Sequence, residues 1–406
     1  MKVLIFAHTP PPYHGQSAAV KLMLEHFGGD RRQWKPGQPL ANGYGIECYH
    51  VNARFSKQLE DIGELQFGKI LLVFFYCLQA IWCRFRYGVE NFFYIPAPGK
   101  PVAVYRDWLV MLICRPFFKR FIFHWHASGL AKWLETSVPM HIRSFTYQRM
   151  RDADLSIVLS NFTRSDAEKF LPRKVVVVAG GISDPCPQFE QDMLPQRRVR
   201  VETRKKIFSG EYQIRSDNER IINVIFLAHC TRTKGVFDAI QGVALANEKL
   251  AAEQSLMRFR LKLIGAFASD AEQKEIREYI REHDLEDDVT VLGFISSEQK
   301  DLELRQADVL CFPTYYTAEG QPANLLEAFA YGLPVVTTAW RSIPEMLPEN
   351  YPGIVQPKSP ADVAEKLRLI CVSDFSRQLR EIFLNRFTLK RHLDKISETM
   401  RSVEKK

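Results

Sequence analysis

The chain has 406 residues, of which 46% are hydrophobic, 25% charged and 12% aromatic. That excludes a disordered or fibrous polypeptide, and the length exceeds one ordinary core, so two domains are expected. The net charge of +8 is uneven, with 23 Lys/Arg against 14 Asp/Glu in residues 1–185 and 32 against 33 in the remainder.

The opening MKVLIFAHTPPPYHG holds only five consecutive apolar residues, Val3–Ala7, ahead of three prolines. This is too short for a secretory h-region and reads as a first buried strand. Further strands are expected at 45–51, 92–95, 120–125, 155–159 and 174–178, with helices at 17–27, 102–113 and 163–170. Strands alternating with helices point to parallel βαβ units.

Within this half, ILLVFFYCLQAIWC (70–83) is a fourteen-residue uncharged run, short of the roughly 20 residues that span a bilayer. A buried domain helix is expected there, with an interfacial helix as the alternative. RDWLVMLICRPFFKRF (106–121) mixes Trp and Phe with Arg115, Lys119 and Arg120, a composition suited to a headgroup boundary. Because the positive surplus lies in this half, a peripheral contact with an anionic membrane through residues 69–86 and 106–121 is an expectation.

Residues 186–220 are polar and basic and read as a linker. Beyond it the alternation resumes, with strands expected at 222–228, 258–264, 289–292, 309–312 and 335–338 and helices at 235–251, 269–283, 297–305 and 322–330. The expected organisation is α/β: two Rossmann-like doubly wound domains, 1–185 and 221–385, facing a cleft where strand C-termini bind ligands. A C-terminal helix over 386–406 is expected to pack across the domain junction. The eight cysteines include no CxxC pair, a pattern of buried thiols in a reducing cytosol. A cytoplasmic location, with association to the inner membrane, follows as an expectation.

The chemistry concentrates in AEGQPANLLEAFAYGLPVV (318–336). Gly320 and Pro322 are expected to open a helix whose unpaired N–H groups favour a phosphate. Glu319 and Glu327, roughly 12 Å apart if the segment is helical throughout, would hold sugar hydroxyls and ribose hydroxyls on either side of it.

FPTYYTAEGQPANLLEAFAYGLPVVTT (312–338) resembles the signature of the retaining GT-B glycosyltransferases of sequence family four. VIFLAHCTRTKGVFDAI (224–240), LKLIGAF (261–267), VTVLGFIS (289–296), LSIVLS (155–160), VVVVAGGISD (175–184), PPPYHGQSAA (10–19) and FHWHASGL (123–130) are similar to the family's other segments, in the same order. The resemblance implies transfer of a sugar from a nucleotide-diphosphate sugar to a hydroxyl, with retention, in bacterial surface polysaccharide, lipopolysaccharide or glycolipid synthesis. The sugar donor is a substrate, and no cofactor is implied.

By that resemblance, Lys234 assisted by Arg232 neutralises the leaving phosphate. The family's usual arginine is replaced here by His229, and the asparagine usual before Gly181-Ile182 by Gly180. His126 would stand beside the reacting sugar, Gly15 would allow close backbone approach, and Gly320, Gln321, Pro322, Phe294 and Ile295 would contact the donor.

Asp152-Ala153-Asp154 directly precedes a strand and reads as a turn, so no metal is expected. A nucleotide-sugar epimerase on the same architecture is the alternative, although no carboxylate pair is arranged near the N-terminal loops for proton removal. Nucleic-acid binding is not expected, because the basic residues form no stripe with stacking aromatics.

Overall fold

The computed structural model describes residues 1–11, 15–34, 43–55 and 67–404. Chain contacts separate two compact units. The first comprises Met1–Gly181, Ala318–Gln321 and Leu389–Lys406, and the second Ile182–Thr317 and Pro322–Thr388.

In the first unit, β1 (Lys2–Phe6), β2 (Glu47–Val51), β3 (Asn91–Tyr94), β4 (Arg120–Trp125), β5 (Leu155–Val158) and β6 (Val175–Val177) form a parallel sheet, ordered β2-β1-β3-β4-β5-β6. Parallel strands need crossover helices, which cover both faces, so these strands are apolar without alternation. Successive residues enter opposite cores. Leu4, Phe6, Phe92 and Phe123 pack on the side of helices Phe67–Tyr87 and Pro101–Cys114. Val3, Ile5, Phe93 and Ile122 pack on the side of helix Gly15–His26. Leu389, Leu393, Ile396 and Met400, one stripe of the C-terminal helix Leu389–Arg401, complete that second core, which places this helix in the first unit.

The second unit contains β7 (Ile221–Leu227), β8 (Arg258–Ile264), β9 (Val289–Gly293), β10 (Val309–Phe312), β11 (Val335–Thr338) and β12 (Ile354–Val355). Its sheet is parallel throughout and ordered β12-β11-β10-β7-β8-β9. From β7 the chain winds outward through β8 and β9, then returns to the other side of β7 with β10. The resulting switch point is the place where such sheets bind ligands.

Two expectations need correction. Residues 186–220 are not a linker. They carry helices Phe189–Asp192, Leu194–Phe208 and Asp217–Arg220, all inside the second unit. Two of the arginines that gave the stretch its solvated look, Arg197 and Arg204, are buried. Arg197 donates to the carbonyls of Tyr331, Ala307 and Leu304 at 2.8, 2.9 and 3.1 Å, and Arg204 pairs with Asp308 at 2.6 Å. They satisfy carbonyl oxygens that would otherwise be stranded in the interior.

The apolar run 70–83 is likewise not a fully buried helix. It lies within a 21-residue helix, Phe67–Tyr87, with Val73, Cys77, Ala80 and Cys83 in the core and Leu71, Phe74, Phe75, Leu78, Trp82 and Phe85 exposed. The apolar residues there serve two faces, only one of which the described residues of the domain cover.

Candidate functional site

The loops after β7 and β10 meet at the switch point. Tyr315 N–H donates to Thr233 O at 2.9 Å, and Thr314 Oγ1 lies 3.4 Å from the same carbonyl. Between β7 and the following helix, Arg232–Lys234 makes one tight turn that ends on Gly235 at φ 84°. Glycine is required there twice over, because the backbone is left-handed and a Cβ would collide with the Pro313 carbonyl.

That turn delivers Lys234 to the β10 loop. Its ammonium lies 4.6 Å from the Tyr316 ring centre and 5.7 Å from that of Phe312, within cation–π range. His229 is beside it: burial, and then the Lys234 charge, lower the imidazole pKa below its ordinary value, which favours the neutral ring. Arg232, expected to assist Lys234, is instead engaged with Glu275 and lies 4.2 Å over the Phe237 ring.

Helix Ala323–Ala330 starts at the same place. Buried Asn324 donates from Nδ2 to Leu227 O, the last residue of β7, at 2.8 Å, which seats the first turn and its free amide groups at the end of that strand. The helix expected over 322–330 forms as Ala323–Ala330, but the segment is not helical throughout and Glu319 lies outside it. Pro322 is the N-cap, Glu319–Gln321 precede it, and Glu319 belongs to the first unit while Glu327 belongs to the second. The roughly 12 Å spacing therefore has no basis. Glu327 pairs with Lys300, on helix Ser297–Gln306, at 2.5 Å. At the end of β9, Gly293 has φ 69°, Phe294 is exposed and Ile295 is half-buried.

In the first unit, His126 follows β4 and touches the EGQ segment through its backbone. A Cβ on Gly320 would collide with the His126 carbonyl oxygen. Ser128 Oγ donates to Glu319 O at 2.6 Å, and Gln321 Oε1 accepts from Gly180 N–H at 2.7 Å. The backbone of Glu319 is thus fixed, and its residue is buried. The structure brings His126 together with Glu319, Gly320 and Gln321 in this unit, and Lys234 together with His229 and the start of helix Ala323–Ala330 in the other. Gly15 is the first residue of helix Gly15–His26, and a Cβ there would meet open space. Residues 12–14 of its loop lie outside the described residues.

His126 Nε2 also lies 3.1 Å from Nδ1 of buried His124, whose ring stacks against that of His392 at 6.3 Å. His392 Nδ1–H donates to Ala179 O at 2.8 Å. Burial first, then His126 and His392, hold His124 well below the ordinary histidine value, and burial lowers His392 too. The unfolded chain takes protons on these rings near pH 6.5, where the folded chain resists them. The folded state therefore keeps full stability above that pH and loses it as pH falls below. Thermal melts should show the melting temperature dropping below about pH 6.5, with a shallower drop for His392→Gln. An identical slope in the variant would contradict this reading.

Among the described residues, no group of three or more His, Cys, Asp or Glu is placed to hold a metal ion. Asp152 takes a left-handed turn at φ 59°. Asp154 accepts from Phe121 N–H at 2.9 Å and from Arg173 at 3.1 Å, which serves the turn into β5, while the Asp152 carboxylate pairs with Arg151 at 2.7 Å.

Residues 212–405 match the profile of the family described as Glycosyl transferases group 1. The chain is 31% identical over 144 residues to the putative colanic acid biosynthesis glycosyltransferase WcaL of Escherichia coli K12, covering 34% of this chain and 33% of that one. It is 30% identical over 152 residues to the amylovoran biosynthesis glycosyltransferase AmsK of Erwinia amylovora, covering 36% and 35%. The match thus spans about a third of each curated relative.

Among solved structures, a sucrose-phosphate synthase of Thermosynechococcus elongatus superposes with a TM-score of 0.68 at 16% identity, covering 99% of both chains. HepE of Anabaena, solved with UDP, gives 0.62 at 14% identity over 99% of this chain and 100% of that one. The chain has the two-domain α/β architecture of the GT-B glycosyltransferases, and its residues 212–405 are similar to the glycosyl transferases group 1 family.

Proposed function

We propose that the protein is a retaining glycosyltransferase that moves a sugar from a nucleotide-diphosphate sugar to a hydroxyl acceptor in bacterial surface polysaccharide or glycolipid synthesis. The observation that carries this reading is Lys234, fixed over Tyr316 and Phe312 at the switch point where helix Ala323–Ala330 begins. A cation and a helix start seated on the end of one strand suit a diphosphate. The polysaccharide-biosynthesis names of WcaL and AmsK, and the solved complexes of HepE with UDP and with UDP-glucose, support transfer from a nucleotide-sugar over epimerisation.

In the proposed reaction, the bond between the anomeric carbon and the diphosphate oxygen breaks. The acceptor oxygen bonds that carbon from the same face, and the acceptor proton passes to the departing phosphate oxygen. Lys234 and the first-turn amides of the helix neutralise the charge that develops, which is why no metal is invoked. Neutral His229 adds a hydrogen-bond donor, and Arg232 reaches phosphate only by exchanging Glu275 for it. Glu319 and His126 contact sugar hydroxyls, with Gly320 and Gln321 fixing their backbone. Glu327 with Lys300, together with Phe294 and Ile295, lines the nucleoside end, and Gly15 leaves space for the phosphate or the acceptor. The eight buried free thiols suit a cytoplasmic enzyme.

A thermal-shift screen against UDP-, GDP- and ADP-sugars identifies the donor. Release of the matching nucleoside diphosphate is then expected only with an acceptor present, and at the same rate with EDTA added. Conversion of the donor sugar without any acceptor would replace transfer with epimerisation.

A further inference from the structure

The apolar face of helix Phe67–Tyr87 is large and continuous, and no described residue of the first unit covers it. Leu71, Leu78, Trp82 and Phe85 are 73%, 64%, 52% and 69% exposed, and Phe74 and Phe75 join them. Monomeric soluble proteins rarely show such a patch without using it. Trp82 and Phe85 sit at the C-terminal end beside Arg84 and Arg86, the order in which aromatic and basic side chains meet a lipid headgroup layer.

By length and composition this helix could cross a bilayer, with an 18-residue window of mean hydropathy 1.3 over Ile70–Tyr87. Its packing excludes that. Val73, Cys77, Ala80 and Cys83 lie in the core against the sheet, so lipid cannot surround the helix while the domain stays folded. It can only lie along a surface.

The charge on the same side is mostly positive, although Glu90, between the first two segments, pairs with Arg84 and Lys119. Segments 67–87, 101–121 and 140–150 together carry nine Lys/Arg and a single acid, Asp107. That acid contributes no outward negative charge. It is fully buried and accepts from Tyr94 Oη at 2.6 Å, Ala97 N–H at 2.7 Å and Arg106 Nη2 at 2.9 Å. Helices Pro101–Cys114 and Met140–Met150 also frame an apolar groove of about 550 Å³, lined by Tyr105, Trp108, Leu112, Ile142 and Phe145 among others. Apart from His141 the lining is apolar and aromatic, which suits hydrocarbon.

We propose that this face docks flat on an anionic phospholipid bilayer. Leu71, Phe74, Phe75, Leu78, Trp82 and Phe85 enter the interface, the surrounding cations meet lipid phosphates, and the groove between the two neighbouring helices accepts an acyl chain. The proposal is independent of the sugar chemistry. It gives the enzyme access to acceptors held in the membrane.

Co-sedimentation of the purified full chain with phosphatidylcholine vesicles, with and without phosphatidylglycerol, tests it. Binding is expected on the anionic vesicles at low salt, weaker on the neutral ones, and reduced by added salt. The double variant Leu78→Glu/Phe85→Glu alters only exposed positions. It should melt like the wild type and partition roughly tenfold or more weakly, while Arg86→Glu should lose binding chiefly to the anionic vesicles. Three results would each overturn the proposal: wild-type protein left in solution with anionic vesicles at low salt, undiminished binding by the double variant, or a wild-type dimer by light scattering that the double variant breaks, since the face would then belong to a second copy of the chain.

Discussion

Lys234→Ala should lower kcat for sugar transfer by about 10²- to 10³-fold while leaving the melting curve close to that of the wild type. The size follows from when the charge is needed. Negative charge on the diphosphate grows as the anomeric bond breaks, so a cation preplaced beside it acts mostly on the transition state. The small effect on folding follows from what the ammonium touches. It lies over the Tyr316 and Phe312 rings, contacts worth about 0.5–2 kcal/mol, and the turn that carries it is fixed by Gly235 and the backbone bond from Tyr315 to Thr233. Lys234→Arg should recover only part of the rate, because the planar guanidinium cannot occupy the point position of an ammonium over those rings. Steady-state turnover with a saturating acceptor measures both. A kcat for Lys234→Ala within about threefold of the wild type, well short of the loss a missing oxyanion-type donor produces, would remove Lys234 from the reaction.

Glu319→Ala is the second large effect. One hydrogen bond from a sugar hydroxyl to a carboxylate contributes about 1.5–3 kcal/mol, and a carboxylate that holds two hydroxyls should cost about 10²-fold or more in kcat/KM when removed. The backbone supports this. Ser128 Oγ holds the Glu319 carbonyl and Gly320 packs on the His126 carbonyl, so the side chain projects from a fixed point. Glu319→Gln keeps the shape and discards the charge. It should fall between wild type and Glu319→Ala if the carboxylate accepts from hydroxyls, and match Glu319→Ala if the charge alone matters. Full activity in Glu319→Ala, measured with the donor found by thermal shift, would rule the residue out.

Much of the scaffold was legible because buried parallel strands announce themselves. RFIFHW (120–125), RFRLKLI (258–264), VLCF (309–312) and VVTT (335–338) are strands over those same residues, since a strand covered on both faces is an apolar or β-branched run ended by turn residues. Lys234 was legible through the likeness of VIFLAHCTRTKGVFDAI (224–240) to a family segment, with a helix expected from residue 235.

Polar residues misled where their partners are far away in sequence. Arg197 and Arg204 suggested a solvated linker, yet they bind groups more than a hundred positions downstream. Lys300 and Asn324 carried no local signal, because their partners Glu327 and Leu227 are set by strand order and not by periodicity. The same holds for Ser128 and Glu319, which are 191 residues apart. The double-faced helix Phe67–Tyr87 was misjudged because composition counts apolar residues without saying which side of the helix the domain covers.

Calorimetric titration of the matching nucleoside diphosphate and monophosphate into the wild type and Lys234→Ala tests most directly whether Lys234 receives the terminal phosphate. The variant should bind the diphosphate about tenfold or more weakly, the loss of one charge-assisted contact, while its affinity for the monophosphate stays nearly unchanged. Equal losses for both nucleotides, or no loss for either, would show that the departing group is held elsewhere.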